Sequence, residues 1–332
     1  MAQDASTIKV LVACHKPTVV PNSDLYLPVQ LGAVSAAPIY GMQPDNEGDN
    51  ISDRNFSFCE LSAEYWGWKN LGPEIDYVGL CHYRRFFCFD GRSHLRNDHA
   101  QIEIPRLTPT STVQLRLDDD ELIAECVTGC DMVAPVRWDV RHVPTPQGPQ
   151  PTIRSHMVAY DLLNAEDFET LERLCEQLQP DYAPYVSAYL DGYMYQGYNC
   201  FIMRRDLFDR LCSFEFDVLQ AFDAQFNYEG LSAARQRIVG YLGEVLISAF
   251  TMKLEDEGGL RINRWPLTFF QDTPSPEQLV AEWNAGVPDV GVPRPTLVQQ
   301  ARAFVLPPGS RRLDLVRTCV QQAKARMSKS AK

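Results

Sequence analysis

The chain has 332 residues, 45% of them hydrophobic, with 31 Lys and Arg against 43 Asp and Glu and a formal net charge of −12. That length suits one large domain or two ordinary ones, and the apolar fraction is that of a packed core, which excludes wholesale disorder. An acidic chain repels a phosphate polymer unless its basic residues are concentrated, which argues against a general nucleic-acid binder. The charge is in fact split: seven Lys and Arg against Asp314 alone give residues 311–332 a charge of +6 and leave −18 on residues 1–310.

Met1–Thr7 is polar, and Ile8–Cys14, interrupted by Lys9, is too short for a signal core. No stretch reaches the ~18 apolar residues of a membrane span. The ten cysteines include no paired CxxC spacing, and Cys14, Cys81, Cys126, Cys175 and Cys200 sit in apolar runs. Reduced core thiols, a cytoplasmic chain and no zinc are therefore expected.

Thr7–Cys14 reads as a buried strand that ends at His15-Lys16-Pro17. Pro21–Asp53 is loop-like, with a short helix expected near Val29–Ala37. Ser57 and Glu60 have capping-box spacing, with Phe56 and Leu61 as the hydrophobic staple. Leu61, Tyr65 and Trp68 then share a helical face, and Gly72-Pro73 stops the helix. Tyr77–His82 is the next strand. Strand, loop, helix, strand is the α/β pattern, in which ligands gather at the carboxyl ends of strands. Further on, a helix is expected from Asp118 to Thr128, a strand over Asp131–Val136 and an exposed Pro-rich loop over Arg137–Pro151. A helix capped by Asn164, a helix over Asp181–Leu190 and a strand over Gly197–Met203 follow. Helices over Asp206–Gln225 and Arg235–Lys253 and a strand over Arg261–Phe270 complete the body. Thr273–Gly309 reads as an extended Pro/Gly-rich tail, and Arg311–Ser328 as an amphipathic helix.

Two polar clusters follow the first two strands. In His82-Tyr83-Arg84-Arg85, adjacent guanidiniums after a buried strand need an anion, and Arg offers a bidentate fork to phosphate. Side chains alternate along an extended segment, so one arginine is expected to meet a diphosphate and the other an acidic residue; two structural salt bridges are the alternative. His15 and Lys16 would lie beside His82 if the two strands are neighbours. Asp49 and Asn50 suit a ribose hydroxyl or an ordinary Asx-turn. Asp118-Asp119-Asp120 has the Asp-x-Asp spacing of divalent-metal sites, but it opens a helix, where negative charge is ordinary. Asp191 stands in a turn before a strand. Glu244 stands inside an otherwise apolar helix, where a carboxylate must be paired, exposed or functional; Arg237 is the obvious partner.

The runs ACHKP, DNEGDNIS, CELSAEYWGWKN, YVGLCHYRRFF, YNCFIM and RIVGYLGE, in this order, resemble a bacterial family long described as a domain of unknown function. Its members occur in capsular, exopolysaccharide and O-antigen loci and are classed as glycosyltransferases. The resemblance covers roughly Ile8 to Phe270. It implies a GT-A-like, Rossmann-related α/β domain with a mainly parallel sheet over 1–270, followed by the tail over 271–310 and the basic helix over 311–332. It implies transfer of a hexose, first galactose in pyranose or furanose form, from a UDP-sugar to an oligosaccharide or lipid-linked glycan. A non-catalytic sugar-nucleotide or glycan-binding scaffold is the alternative. Carried over to this chain, His15, Lys16, Asp49, Asn50, His82, Arg84 and Arg85 would hold the nucleotide and diphosphate. Tyr198 and Asn199 would face the donor sugar. Glu244, with Asp191 second, would be the general base. HYRR stands where most such enzymes carry Asp-x-Asp, so no metal is expected; Mn²⁺ or Mg²⁺ at Asp118 and Asp120 is the alternative. Apart from the resemblance, the basic amphipathic end suits either a solvated tail or peripheral contact with an anionic membrane.

Overall fold

The computed structural model describes residues 6–297 and, beyond them, positions 304, 305, 312 and 316; the rest of the basic segment 311–332 lies outside the described residues. The chain begins with β1 (Ile8–Cys14), β2 (Tyr26–Gln30), β3 (Gln43–Pro44), α1 (Asn55–Phe58), α2 (Leu61–Asn70) and β4 (Tyr77–His82). It continues through β5 (Ile102–Arg106), α3 (Pro109–Gln114), α4 (Asp120–Thr128), β6 (Met132–Pro135), β7 (Trp138–Asp139), α5 (Ile153–Ala159), α6 (Ala165–Leu178) and α7 (Ala183–Asp191). Then come β8 (Met194–Tyr195), β9 (Phe201–Arg204), α8 (Arg205–Gln225), α9 (Ala233–Gln236), α10 (Ile238–Glu257), β10 (Ile262–Trp265), β11 (Thr268–Asp272) and α11 (Pro276–Asn284).

Seven strands form one sheet in the order β10-β6-β9-β4-β1-β2-β3. Every pairing is parallel except those of β9, which runs against both β4 and β6. This is the expected α/β architecture with a mixed, mainly parallel sheet. β1 is central and apolar on both faces because both faces are covered. Leu11 and Ala13 join a core under α2, α6, α7, α8 and α10, whereas Ile8, Val10, Val12 and Cys14 join a second core with Phe86–Phe89, α4, β5 and β11. The nine described cysteines are free, most of them buried.

Several local expectations fail for identifiable reasons. No short helix spans Val29–Ala37: β2 ends at Gln30 and only a 3₁₀ turn, Ala33–Ser35, follows. The Ser57/Glu60 capping box does not form, because Cys59 (φ 53°, ψ −127°) breaks the chain between α1 and α2. Ser57 Oγ instead bonds the Tyr228 hydroxyl at 2.8 Å. The single strand expected over Arg261–Phe270 is two strands in different sheets, β10 on β6 and β11 on β5, parted at Pro266, which has no N–H for a ladder. The tail expected over 273–309 contains α11. Its Ser275-Pro276-Glu277-Gln278 start is a complete capping box with Pro at the first turn. Residues beyond α11 return to the body: Val292 N–H donates to Gln114 Oε1 at 2.6 Å, and Asp289 accepts from Thr110 N–H at 3.0 Å.

Candidate active site

The chain leaves β1 towards β2 and β3 and returns on the other side of β1 at β4, so the strand order reverses between β1 and β4. Such a switch point leaves a crevice at the carboxyl ends of the strands. Ala13 lies opposite His82, which places His15 and Lys16 beside the HYRR segment. The His15 and His82 rings are 6.4 Å apart, and both pack on Tyr83, at 4.8 and 4.5 Å. Lys16 Nζ donates to the Thr273 carbonyl at 3.3 Å and lies 5.5 Å over Tyr83.

Arg84 and Arg85 do not point opposite ways, and neither forms the expected salt bridge. Residues 82–85 make a tight turn, with Arg85 N–H donating to the His82 carbonyl at 2.6 Å, so strand alternation does not apply. Both guanidiniums lie over the Phe269 ring, at 5.1 and 4.9 Å, and Arg85 also lies over Tyr198 at 5.1 Å. Among the described residues neither has a carboxylate partner; each keeps a buried Nε without a hydrogen bond, as His82 does its Nδ1. Arg237, at the start of α10, donates to Cys59 Sγ at 3.2 Å. Burial, then Arg85, Arg84, His15 and Arg237, hold His82 well below the usual imidazole range. Burial, then Lys16, Arg84 and Arg237, lower His15 too. Two imidazoles pushed towards the neutral form thus sit among Lys16, Arg84, Arg85 and Arg237, of which Arg237 feels the charge of nearby Glu60 but none is ion-paired among the described residues.

Glu244 faces this group from α10. It is not paired with Arg237; it accepts from the Tyr195 hydroxyl and the Tyr198 backbone N–H. Burial pushes its carboxyl up, the Tyr195 bond pulls down, and nearby Glu60 pushes up again. Tyr195 arrives on β8, which pairs with β7, and its ring packs on Trp138 at 4.7 Å.

The turn before β9 carries Gly197, Tyr198 and Asn199 at φ 58°, 74° and 43°. Gly accepts this conformation and Asn tolerates it, but an aromatic residue there costs roughly 1–3 kcal/mol and needs the surrounding structure to hold it. Arg85 over the Tyr198 ring and a 3.3 Å bond from the Tyr198 hydroxyl to the His99 carbonyl do so. Asn199 Nδ2 donates to Glu60 Oε1 and to the Gly240 carbonyl, both at 3.0 Å, while its buried Oδ1 has no partner. Gly240 packs tightly here: a Cβ there would lie 3.2 Å from both Cβ and Sγ of Cys59.

Sequence reasoning missed Glu60, Tyr195 and Arg237 as members of this cluster. Glu60 looked like a helix cap, and Arg237 like the partner of Glu244. Behind Glu60, Glu64 and Glu215 form a carboxyl pair, each 1% exposed. Burial pushes Glu64 up to about 8 and Glu215 well above the carboxylate range, and neither has an ion-pair partner among the described residues; the Cys212 thiol donates to Glu64 Oε1 at 3.7 Å.

Other predicted residues lie apart. Asp191 ends α7 with a 70% exposed side chain and pairs with Arg154 at 3.3 Å, on the side of α5 and α6. Asn50 makes the turn, bonding Gly48 and Asn46 carbonyls and Ser52 N–H. Asp49 meets Tyr65 and Asn70 on α2. Asp119 caps α4, accepting from Leu122 N–H at 3.0 Å, and Asp120 accepts from Asp24 N–H at 3.2 Å. Asp24 precedes β2, so this acidic run lies at the amino ends of the strands, opposite the cation cluster, and does not fit a metal serving it. Cys88, Asp90 and His94, after β4, bring possible metal ligands together; His94 Nε2 and Asp90 Oδ2 are 2.7 Å apart.

Residues 9–255 match a family model described as "Domain of unknown function (DUF4422)". The chain belongs to this family. No curated protein matches this DUF4422 chain in sequence. Among solved structures it is similar to one titled "WbbM bifunctional glycosytransferase apo structure", with a TM-score of 0.75 and 26% identity over 81% of this chain. The DUF4422 chain spans 46% of that protein. No helix among the described residues is long and apolar enough to cross a membrane.

Proposed function

We propose that the chain is a GT-A-like glycosyltransferase that moves a hexose, first galactose in pyranose or furanose form, from a UDP-sugar to a glycan acceptor. The observation that carries this reading is the group of Lys16, Arg84, Arg85 and Arg237, none of which has a carboxylate within ion-pair distance among the described residues, at the switch point of the sheet. The likeness to a glycosyltransferase supports it. In this reading the diphosphate lies against Arg84 and Arg85, and His15 and neutral His82 donate hydrogen bonds to it. Glu244 takes the proton of the acceptor hydroxyl as that oxygen bonds to the sugar's anomeric carbon. The bond from that carbon to UDP breaks, and the guanidiniums stabilise the leaving charge. Tyr195 and the Tyr198 N–H fix the carboxylate of Glu244, and Tyr198 and Asn199 face the donor sugar. Asp49, Asn50 and Asp191 are not needed by this mechanism.

Calorimetry with UDP, and transfer from UDP-galactose or UDP-galactofuranose in the presence of EDTA, test the reading. Binding and metal-independent turnover are expected. Absence of both sinks it; activity lost to EDTA and restored by Mn²⁺ refutes the metal-free mechanism. UDP binding without transfer, unchanged by Glu244→Gln, leaves the scaffold reading.

A further inference from the structure

The two-stranded sheet β5–β11 carries a second polar surface. Thr268, Phe270, Ile102 and Ile104 are buried, so Phe269 and Gln271 on β11, with Glu103 and Pro105 on β5, make its outward face. Phe269 is the ring on which Arg84 and Arg85 stack. Gln271 lies two residues further along, roughly 7 Å away, and donates to Glu103 Oε1. From there a cleft of about 930 Å³ opens, walled by residues 92–97 and 292–295. The second wall is tied down by the Val292 to Gln114 bond, 178 residues apart in sequence.

Three arginines line this cleft: Arg92, Arg96 and Arg294. Arg92 reaches the Gln114 carbonyl at 3.2 Å and stands 4.0 Å from Asp90. Arg96 and Arg294 have no ion-pair partner among the described residues. Glu103, the carboxylate in the lining, is engaged by Gln271. In a body that carries −18, this is a local excess of positive charge on an open trough. Guanidinium forks match the planar geometry of a carboxylate. Asn97, Gln114 and Gln271 add groups suited to hydroxyls, and the volume lies near the upper end of small-molecule pockets.

We infer that this cleft is the acceptor subsite and that it takes an acidic oligosaccharide, whose carboxylates pair with Arg92, Arg96 and Arg294. The inference rests on the glycosyltransferase reading, since Gln271, Glu103 and Pro105 in the cleft wall share the sheet face of Phe269, on which the diphosphate cations Arg84 and Arg85 lie. Saturating tetragalacturonic acid, with maltotetraose as the neutral control, is titrated by calorimetry into the full chain and into Arg92→Ala/Arg96→Ala/Arg294→Ala. The acid should bind and the neutral sugar should not. The triple variant should bind the acid at least ~10-fold more weakly while keeping its affinity for UDP, which also reports that it folds. Equal binding of maltotetraose, unchanged affinity in the variant, or no binding of tetragalacturonic acid overturns the inference. Failure of UDP to bind while the acid still binds overturns the catalytic reading, and with it the acceptor role, and leaves an acidic-glycan site; the reverse pattern overturns the subsite alone.

Discussion

The Glu64–Glu215 pair makes stability depend on pH in an unusual direction. In the unfolded chain both carboxyls ionise near 4.5; in the folded protein burial, with the charge of Glu60, keeps Glu64 protonated up to about 8, and burial with the charge of Glu64 keeps Glu215 protonated beyond that. Below 4.5 both states hold these protons. Between there and about 8 only the folded state does, so folding binds protons and stability falls as pH rises. Each such proton is worth about 1.4 kcal/mol per pH unit. One retained proton therefore removes about 3 kcal/mol between pH 6 and pH 8, a large share of a typical ~5–15 kcal/mol. Glu215→Gln keeps the shape, removes one acid and lets the amide donate to Glu64. Urea denaturation followed by tryptophan fluorescence at pH 6, 7 and 8 measures both proteins. The wild type should lose stability steadily, and the variant should lose less and exceed it at pH 8. Identical pH slopes for the two proteins would refute the buried-proton argument.

Glu244→Gln should cut transfer by about 10²- to 10⁴-fold with UDP affinity retained, and the wild-type rate should rise with pH through a limb above 4.5, since burial raises that carboxyl; a flat profile argues against Glu244 as base. Arg84→Ala should weaken UDP binding by about 10- to 100-fold, the loss of a charge-assisted hydrogen bond; unchanged affinity in calorimetry removes Arg84 from the site. Gly197→Ala should lower stability by more than about 1 kcal/mol and activity as well, because its Cβ would stand 2.0 Å from Tyr195 Cε1 and 3.0 Å from Glu244 Oε2; wild-type melting and turnover would contradict this. Deleting residues 311–332 should reduce co-sedimentation with anionic liposomes, and unchanged sedimentation would refute the membrane role of that +6 segment.

The sheet was legible because its inner strands are covered on both faces. Ile8–Cys14 and Tyr77–His82 are near-continuous apolar runs, and they pair as parallel neighbours, which brings His15 beside His82. β5 and β11 were harder. They pair across 166 residues, and Pro266 makes one apolar run into two strands of different sheets, which periodicity does not distinguish. α11 carries its complete start signal in Ser-Pro-Glu-Gln, but the surrounding Pro and Gly masked it.

The site divides the same way. Groups that follow a strand directly, His15, Lys16 and His82–Arg85, could be placed from the rule that ligands meet strand ends. Groups brought by backbone strain could not. Ser57 and Glu60 have a capping spacing, and only the left-handed Cys59 between them turns Glu60 away from the helix start and onto Asn199. Asn199 in turn reaches Glu60 because three successive residues adopt positive φ, one of them an aromatic. No propensity scale favours either arrangement. Both persist because α10 approaches closely at Gly240, where Cys59 packs and the carbonyl accepts from Asn199. The strained turns and the glycine thus hold one another, and the two carboxylates, Glu60 and Glu244, are fixed by contacts far apart in sequence, while the cations they face come from a single short segment and its neighbours.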